Sequence, residues 1–288
     1  MANIKDTKSA GARFGLVIAY IILIAFTVLA LYPLFWLFTS SFKTTTEFQL
    51  NKLGLPGTVE GFGWTTINYK DAWIRGGFPV LIMNSVIYTA VSTIVIIIFS
   101  FMGSFAFAKI RNKCTKFLHG SYVIGLLMTL QCIMVPLFLM VNWVHLYDTR
   151  LGVLIPYIGI GMPMGIYLGT EYIKSIPDAL IESARIDGAK FWRIFVSIIL
   201  PMAMPVGVTL AILSCTGTWN EFMLINILTS TDAIKSLPVG VQKFAGALSS
   251  DYGKQFAALV IGLLPMLVFY LCFRQQITKG VSAGAVKG

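Results

Sequence analysis

The sequence predicts an all-α polytopic membrane protein with six transmembrane helices, and three observations carry that prediction. Of 288 residues, 57% are hydrophobic and 12% charged, against roughly 25% charged in soluble domains, and the mean hydropathy is +0.80. The apolar residues fall in runs long enough to cross a ~30 Å hydrocarbon core. Basic residues cluster in the short loops between runs, where they orient a membrane chain. A net charge of +10 in a soluble protein would suggest nucleic acid. Here the cations are placed for anionic lipid headgroups, and no nucleic-acid partner is expected.

Lys5, Lys8 and Arg13 precede an apolar run at residues 14–38. It is too long for a secretory signal core, so it reads as an uncleaved first helix. Residues 41–78 turn polar, with Gly54, Pro56, Gly57, Gly61 and Gly63 breaking any long helix and Trp64, Tyr69 and Trp73 suited to the membrane surface. Residues 1–78 are thus an anchor helix and a first external loop. The second span, residues 79–108, carries no charge. Asn84, Ser85, Thr89, Ser92 and Thr93 lie along it, and Gly103, Ser104 and Ala106 form a small-residue patch for close helix contact. Lys109, Arg111, Lys113 and Lys116 follow with no acid among them, which places that loop in the cytoplasm.

The third span covers residues 118–143, with a kink expected at Pro136, and ends in a turn where His145 reads as a surface histidine. The fourth, residues 151–170, is expected to be interrupted by Pro156, Gly159, Gly161, Pro163 and Gly165. Irregular backbone at membrane depth is tolerated only against protein or a wet cavity, so this span should face the centre. The fifth is expected from near Pro205 to near Thr229. Its outer half holds Trp219, Asn220 and Glu221, which with Asn84 are candidates for a translocation path: an acid beside apolar sequence faces a cavity or a partner, or sits in a structural ion pair. A second external loop, residues 230–254, contains Leu237-Pro238-Val239-Gly240, and a sixth span follows at residues 255–273. Residues 79–274 then form the core and 275–288 a basic tail. The remaining basic clusters, Lys174, Arg185, Lys190 and Arg193 between spans and Arg274, Lys279 and Lys287 in the tail, agree with both termini cytoplasmic.

The one long charged stretch between apolar runs lies at residues 171–200. Ser175 is a suitable N-cap, Pro177 suits a first helical turn, and Asp178 favours the positive end of the dipole. Gly188 should end that helix. A helical wheel puts Asp178, Glu182 and Arg185 on one face and Ile176, Leu180, Ile181 and Ala184 on the other. Asp178 and Glu182 are like charges four apart, costing roughly 0.2–0.5 kcal/mol, so a basic partner surface is expected to compensate. Beyond the hinge, Phe191, Trp192, Phe195, Lys190 and Arg193 suit a helix at the membrane–water boundary.

No Gly-x-x-x-x-Gly-Lys-Ser/Thr loop is present, nor any nucleophile triad or metal-ligand spacing. Cys114, Cys132, Cys215 and Cys272 show no paired spacing and read as small apolar residues. The chain is therefore not expected to be an enzyme or to bind a cofactor or metal.

Glu182-Ser183-Ala184, Asp187-Gly188-Ala189, Leu200-Pro201 and Pro205 resemble the Glu-Ala-Ala loop of permease subunits of ABC importers, with Ser183 in place of the first Ala. Thr218-Trp219-Asn220-Glu221-Phe222, Leu237-Pro238-Val239-Gly240 and the ending Gly280-Val281-Ser282-Ala283-Gly284-Ala285-Val286-Lys287-Gly288 are similar to the maltose-permease G-type branch, so the resemblance covers nearly the whole chain. It implies a type I importer fold in a bacterial cytoplasmic membrane. The implied partners are a homologous F-type permease, two ATPase subunits that use ATP and Mg, and an extracellular solute-binding protein that delivers a carbohydrate. It also implies that Pro177, Asp178, Glu182, Ala184, Arg185, Asp187 and Gly188 contact an ATPase subunit, and that Leu237, Pro238, Gly240 and Tyr252 approach the binding protein. Two other classes compete. A lipid-modifying membrane enzyme would need a polar catalytic cluster, and a secondary transporter would need inverted repeats and paired intramembrane charges.

Overall fold

The computed structural model describes residues 10–110, 112–244 and 251–285, and side chains within 15–275 of those ranges. Among them all regular structure is helical. Two compact units form, one from the chain up to Arg75 with Phe244–Ile261, the other from Gly76–Lys243 with the chain beyond Ile261.

In the first unit α1 (Ala10–Ser40) is apolar on every side, and none of its apolar window is buried, as suits a helix bathed in lipid. The expected loop at 41–78 contains two short helices, α2 (Thr45–Leu50) and α3 (Ile67–Ile74). Thr44 caps α2 by accepting the Glu47 N–H. Lys43 and Glu47 are fully buried and each makes a hydrogen bond, although Glu47 Oε2 has no partner among the described residues. The Lys43 ammonium donates to the Asn51 carbonyl at 2.7 Å, and Glu47 accepts the Gly57 N–H at 2.5 Å. Burial pushes the Lys43 pKa down. Asp251 accepts from Thr45 Oγ1 at 2.6 Å, ahead of α13 (Tyr252–Ala285).

The second unit is built on α4 (Phe78–Lys109), α7 (Arg150–Lys174) and α10 (Leu200–Asn220). Pro79 sits in the first turn of α4, where its missing N–H costs nothing, and Lys109 occupies the negative end. Gly161, Gly165 and Gly169 of α7 lie against Ile96, Ser100 and Ser104 of α4, and a Cβ on any of these glycines would collide with the facing side chain. Both sets advance by four in the same direction, so the helices are parallel and closely packed. Ser104 Oγ donates to the Ile166 carbonyl across the contact at 3.1 Å. α10 runs oppositely, with Thr93 bonded to Ser214 at 3.1 Å and Phe101 against Gly207.

Because α4 and α7 are parallel, the chain must recross between Lys109 and Arg150. It does so in two limbs, α5 (Lys113–Gly125) and α6 (Leu130–Trp143), bent by 108°. Counting this pair as one crossing gives six spans. The expected single helix at 118–143 is thereby corrected. α6 runs through Pro136 and the break falls at residues 126–129, where Leu126, Leu127 and Met128 each donate to a carbonyl three residues back.

α7 needs a second correction. It is continuous through Pro156 and Pro163. Each proline removes a helical donor, but the glycine face packed on α4 holds the helix, so the stretch is not an interruption, and Gly161 and Gly165 within it are a contact surface. The fifth span runs from Phe191 to Asn220 and not from near Pro205 to near Thr229. It comprises α9 (Phe191–Ile194), a π-helical turn (Phe195–Ile199) and α10. The chain breaks at Glu221 before α11 (Met223–Leu228), and α12 (Leu237–Gln242) lies in the following loop. α13 outruns the expected 255–273, and the stretch expected as a tail continues helical to Ala285.

Candidate functional site

The charged stretch at 171–200 is a short helix locked on one side and open on the other. α7 ends at Lys174, and Ser175 turns its hydroxyl back to the Tyr172 carbonyl at 2.7 Å, so it closes α7 and does not cap the next helix. Pro177, extended at φ −57° and ψ 132°, takes the N-cap position of α8 (Asp178–Ile186). At the other end the Gly188 N–H donates to the Arg185 carbonyl at 3.0 Å and the Ala189 N–H to the Ala184 carbonyl at 2.9 Å, with Gly188 at φ +77°. That is a Schellman cap, in which the left-handed residue must be glycine or cost strain. Gly188 therefore ends the helix, as its spacing predicts, and Asp187 is the C-cap.

Ile176, Ile181 and Ala184 are buried in a cluster with Phe101 and Phe105 of α4, Ile173 of α7, and Ile194, Phe195 and Ile199. Leu180 was expected on this face but is exposed, as are Glu182, Arg185 and Ile186, the last by 86%. The Asp178–Glu182 repulsion is relieved inside the chain. Lys109 Nζ lies 2.7 Å from Asp178 Oδ1 and donates also to the Ile176 carbonyl at 2.7 Å. A polar cavity of about 130 Å³ opens between Ala108, Lys109, Asp178, Ile181, Glu182 and Arg185.

A second cavity, of about 250 Å³, lies between α4, α7 and α10. Its wall is mainly apolar (Ile96, Ile160, Met164, Leu213), with hydroxyls of Tyr157, Ser214 and Thr218 and the carboxylate of Glu221. Glu221 accepts from Tyr157 Oη at 2.7 Å and from the N–H groups of Leu224 and Ile225 at 2.6 and 3.2 Å. It thus caps α11 while lining the cavity. Its neighbours diverge: Trp219 is buried, and Asn220 is exposed and donates to the Thr216 carbonyl.

Asn84 is buried and fully engaged elsewhere, donating to the carbonyls of Ala233 and Lys235 and accepting from Arg150. Leu237 and Gly240 are buried as well. The Leu237 N–H donates to Ser85 Oγ at 2.8 Å, and a Cβ on Gly240 would strike Leu81. These two residues pack α12 onto α4 and present nothing outward. Pro238 is half-buried and Tyr252 half-exposed, with its ring beside Phe48 and Phe256. Residues 245–250 of the same loop lie outside the described residues.

Asp148, at φ 56°, fastens the α6–α7 turn to the loop after α11. Its Oδ1 accepts the N–H groups of Ser230 and Thr231 at 2.9 Å, and its Oδ2 accepts the Thr231 hydroxyl. Those bonds, Thr231 first, hold its pKa at about 2, below the ordinary 3.8. Asp148→Ala is expected to cost about 0.5–1.5 kcal/mol, the net scale of a hydrogen bond with the charge screened by solvent around these exposed bonds, read as a lower unfolding midpoint in detergent. A depressed pKa means that the unfolded chain takes up the proton first. Wild type therefore keeps this stabilisation above about pH 4 and loses it as pH falls toward 2. Asp148→Ala should lack that acid-dependent loss.

Residues 7–278 match the family described as binding-protein-dependent transport system inner membrane component. This chain belongs to that family. A putative ABC transporter permease of Caldicellulosiruptor is 32% identical, with all of both chains covered. The trehalose transport system permease SugB of Mycobacterium tuberculosis is 31% identical over 90% of this permease and 93% of the relative. The multiple sugar-binding transport system permease MsmG of Streptococcus mutans is also 31% identical, over 93% and 96%. A bacterial ABC transporter that imports the acidic polysaccharide alginate has a chain of TM-score 0.79, covering 94% of this permease and 99% of that chain at 23% identity, which establishes the shared fold.

Three interactions in the permease escaped the sequence: Lys109 with Asp178, Tyr157 with Glu221, and Asp148 with Thr231. They join residues 69, 64 and 83 positions apart, and periodicity is silent at that range. Lys109 was visible only as one cation of a basic loop.

Proposed function

We propose that this permease is one of two membrane subunits of an ATP-driven importer that carries a carbohydrate, of the oligosaccharide class, by alternating access. The observation that carries this reading is α8, whose apolar face is locked into the helix core while Leu180, Glu182, Arg185 and Ile186 stand exposed on the other side. Such a helix is a handle for a second protein: exposed apolar residues rimmed by charge mark an interaction surface. The partner is an ATPase subunit that uses ATP and Mg, since the sequence holds no Gly-x-x-x-x-Gly-Lys-Ser/Thr loop of its own. Pro177, Asp187 and Gly188 shape the handle, Asp178 orients it, Ala184 roots it, and Glu182 and Arg185 meet the ATPase.

The other partners are a homologous F-type permease and an extracellular solute-binding protein. The relatives named for trehalose, multiple sugars and starch degradation products support a carbohydrate cargo. A solved neighbour in complex with a pentasaccharide-bound periplasmic protein supports the delivery route. The cavity at Glu221 and Tyr157, apolar with a few hydroxyls, suits the flat faces and rim hydroxyls of a sugar ring, whereas buried Asn84 and Trp219 would act indirectly. Of the residues expected at the binding protein, Pro238 and Tyr252 are each partly exposed and would be available to it. Both termini would lie in the cytoplasm of the bacterium.

The test is uptake of radiolabelled trehalose, maltotriose and raffinose by the complete complex in proteoliposomes. ATP-dependent uptake of at least one, abolished when the ATPase subunits are omitted, is expected. Uptake that persists without the ATPase would overturn the reading in favour of a secondary transporter.

A further inference from the structure

We propose that Lys109 is the positioning residue through which displacement of α8 reaches the central cavity, by way of α4. The inference rests on the reading of α8 as the ATPase handle.

Three routes join α8 to the cavity walls, and they differ in how α8 is held to them. One passes back along α7, whose Met164 and Gly165 stand on the cavity wall, and α8 is tied to it by the short connection at residues 175–177. Another passes through α9 into α10 across the π-helical turn Phe195–Ile199, an irregularity associated with functional adjustment in helices. The third crosses from Ile176 and Asp178 to Lys109 and continues along α4, which has no proline beyond its first turn. Ile96, on the cavity wall, lies thirteen residues back from Lys109 on α4, about 20 Å at the α-helical rise. The route closed by a charged group holding two acceptors is the one through Lys109.

Lys109 is built for that load. Its side chain is 8% exposed, while that of Asp178 is 52% exposed. The ammonium holds a main-chain carbonyl just ahead of α8 and a carboxylate in its first turn, both at 2.7 Å. Two acceptors on one donor fix both the position and the direction of the helix start. The surrounding apolar contacts can slide, but pulling a nearly buried ammonium off its acceptors leaves an uncompensated charge, which resists separation. α8 and the end of α4 therefore move together.

The experiment uses the assembled complex in proteoliposomes. Cys114, Cys132, Cys215 and Cys272 are replaced by serine and a reporter, Thr218→Cys, is placed in the cavity wall. Labelling by a membrane-impermeant maleimide is compared without nucleotide and with Mg–ATP plus vanadate. With Lys109 present, trapping is expected to change the labelling rate. Lys109→Met should shrink that change about tenfold or more, the scale of one hydrogen bond to a charged group, and Lys109→Arg should retain most of it. If Lys109→Met does not assemble, the pair Lys109→Asp with Asp178→Lys decides: recovery of the nucleotide response supports the strut, and assembly without response overturns it. A full response in assembled Lys109→Met, or an Arg variant no better than Met, also overturns it. Glu182→Lys separates the two readings. If it abolishes the response while Lys109→Met does not, only the strut fails. If the parent complex shows no response to nucleotide, the handle reading fails with it.

Discussion

Gly165→Leu is expected to leave little or no folded permease in the membrane. On the glycine face of α7, Gly165 lies so close to Ser100 that even a methyl group would collide with both atoms of the serine side chain. Gly161 and Gly169 are equally pinned, by Ile96 and Ser104, so α7 cannot tilt away to make room. Overpacking costs about 1–3 kcal/mol for small additions and more for large ones, against a total stability of roughly 5–15 kcal/mol. Gly165→Ala should fall within the lower range and Gly165→Leu beyond it. Expression yield and the unfolding midpoint in detergent measure both. Gly159 on the same helix is the control: nothing lies within 4 Å of a Cβ there. Gly159→Ala should be neutral or gain about 0.5–1 kcal/mol, because alanine loses less entropy in a helix. Equal damage from Gly159→Ala and Gly165→Ala would refute the close-packing account.

Glu182→Lys is expected to do the opposite, destroying transport in a well-folded protein. Glu182 is exposed and faces away from the buried cluster, so the substitution should change stability by no more than about 0.5 kcal/mol. It also removes the like-charge neighbour of Asp178, which favours the helix slightly. At a docking surface, however, reversing a paired charge costs about 2–5 kcal/mol, so ATP-dependent uptake should fall roughly 30-fold or more. Co-purification of subunits and the unfolding midpoint establish whether the fold survived. Retained uptake at the wild-type rate would remove α8 from the coupling path.

Local chemistry was legible in the sequence. Apolar runs announced the crossings, and Gly188 announced the end of α8, because a left-handed cap leaves few choices of residue. Three kinds of feature were not legible. The break between α5 and α6 falls in continuous apolar sequence, where turns of three-back hydrogen bonds need no glycine or proline beyond Gly125. Pro156 and Pro163 signalled a break that tertiary packing overrode. Leu180 fits an apolar stripe by spacing, yet it points outward, as a residue kept for a partner would. The site divides in the same way. The exposed charges of α8 were read from their spacing, whereas Lys109, Tyr157 and Asp148 owe their tasks to residues more than sixty positions away.

The sharp corner in the third crossing has one more consequence. Its two limbs have thirteen and fourteen residues, about 20 Å each at the α-helical rise, so neither alone is long enough to cross a ~30 Å hydrocarbon core. At the corner Leu126, Leu127 and Met128 keep their N–H groups bonded three residues back, as apolar surroundings require. Leu130, the first residue past the corner, borders the cavity that Glu221 caps. Elbow and chamber are therefore one piece of architecture: straightening the elbow would withdraw Leu130 from the chamber wall and change its volume beside Glu221.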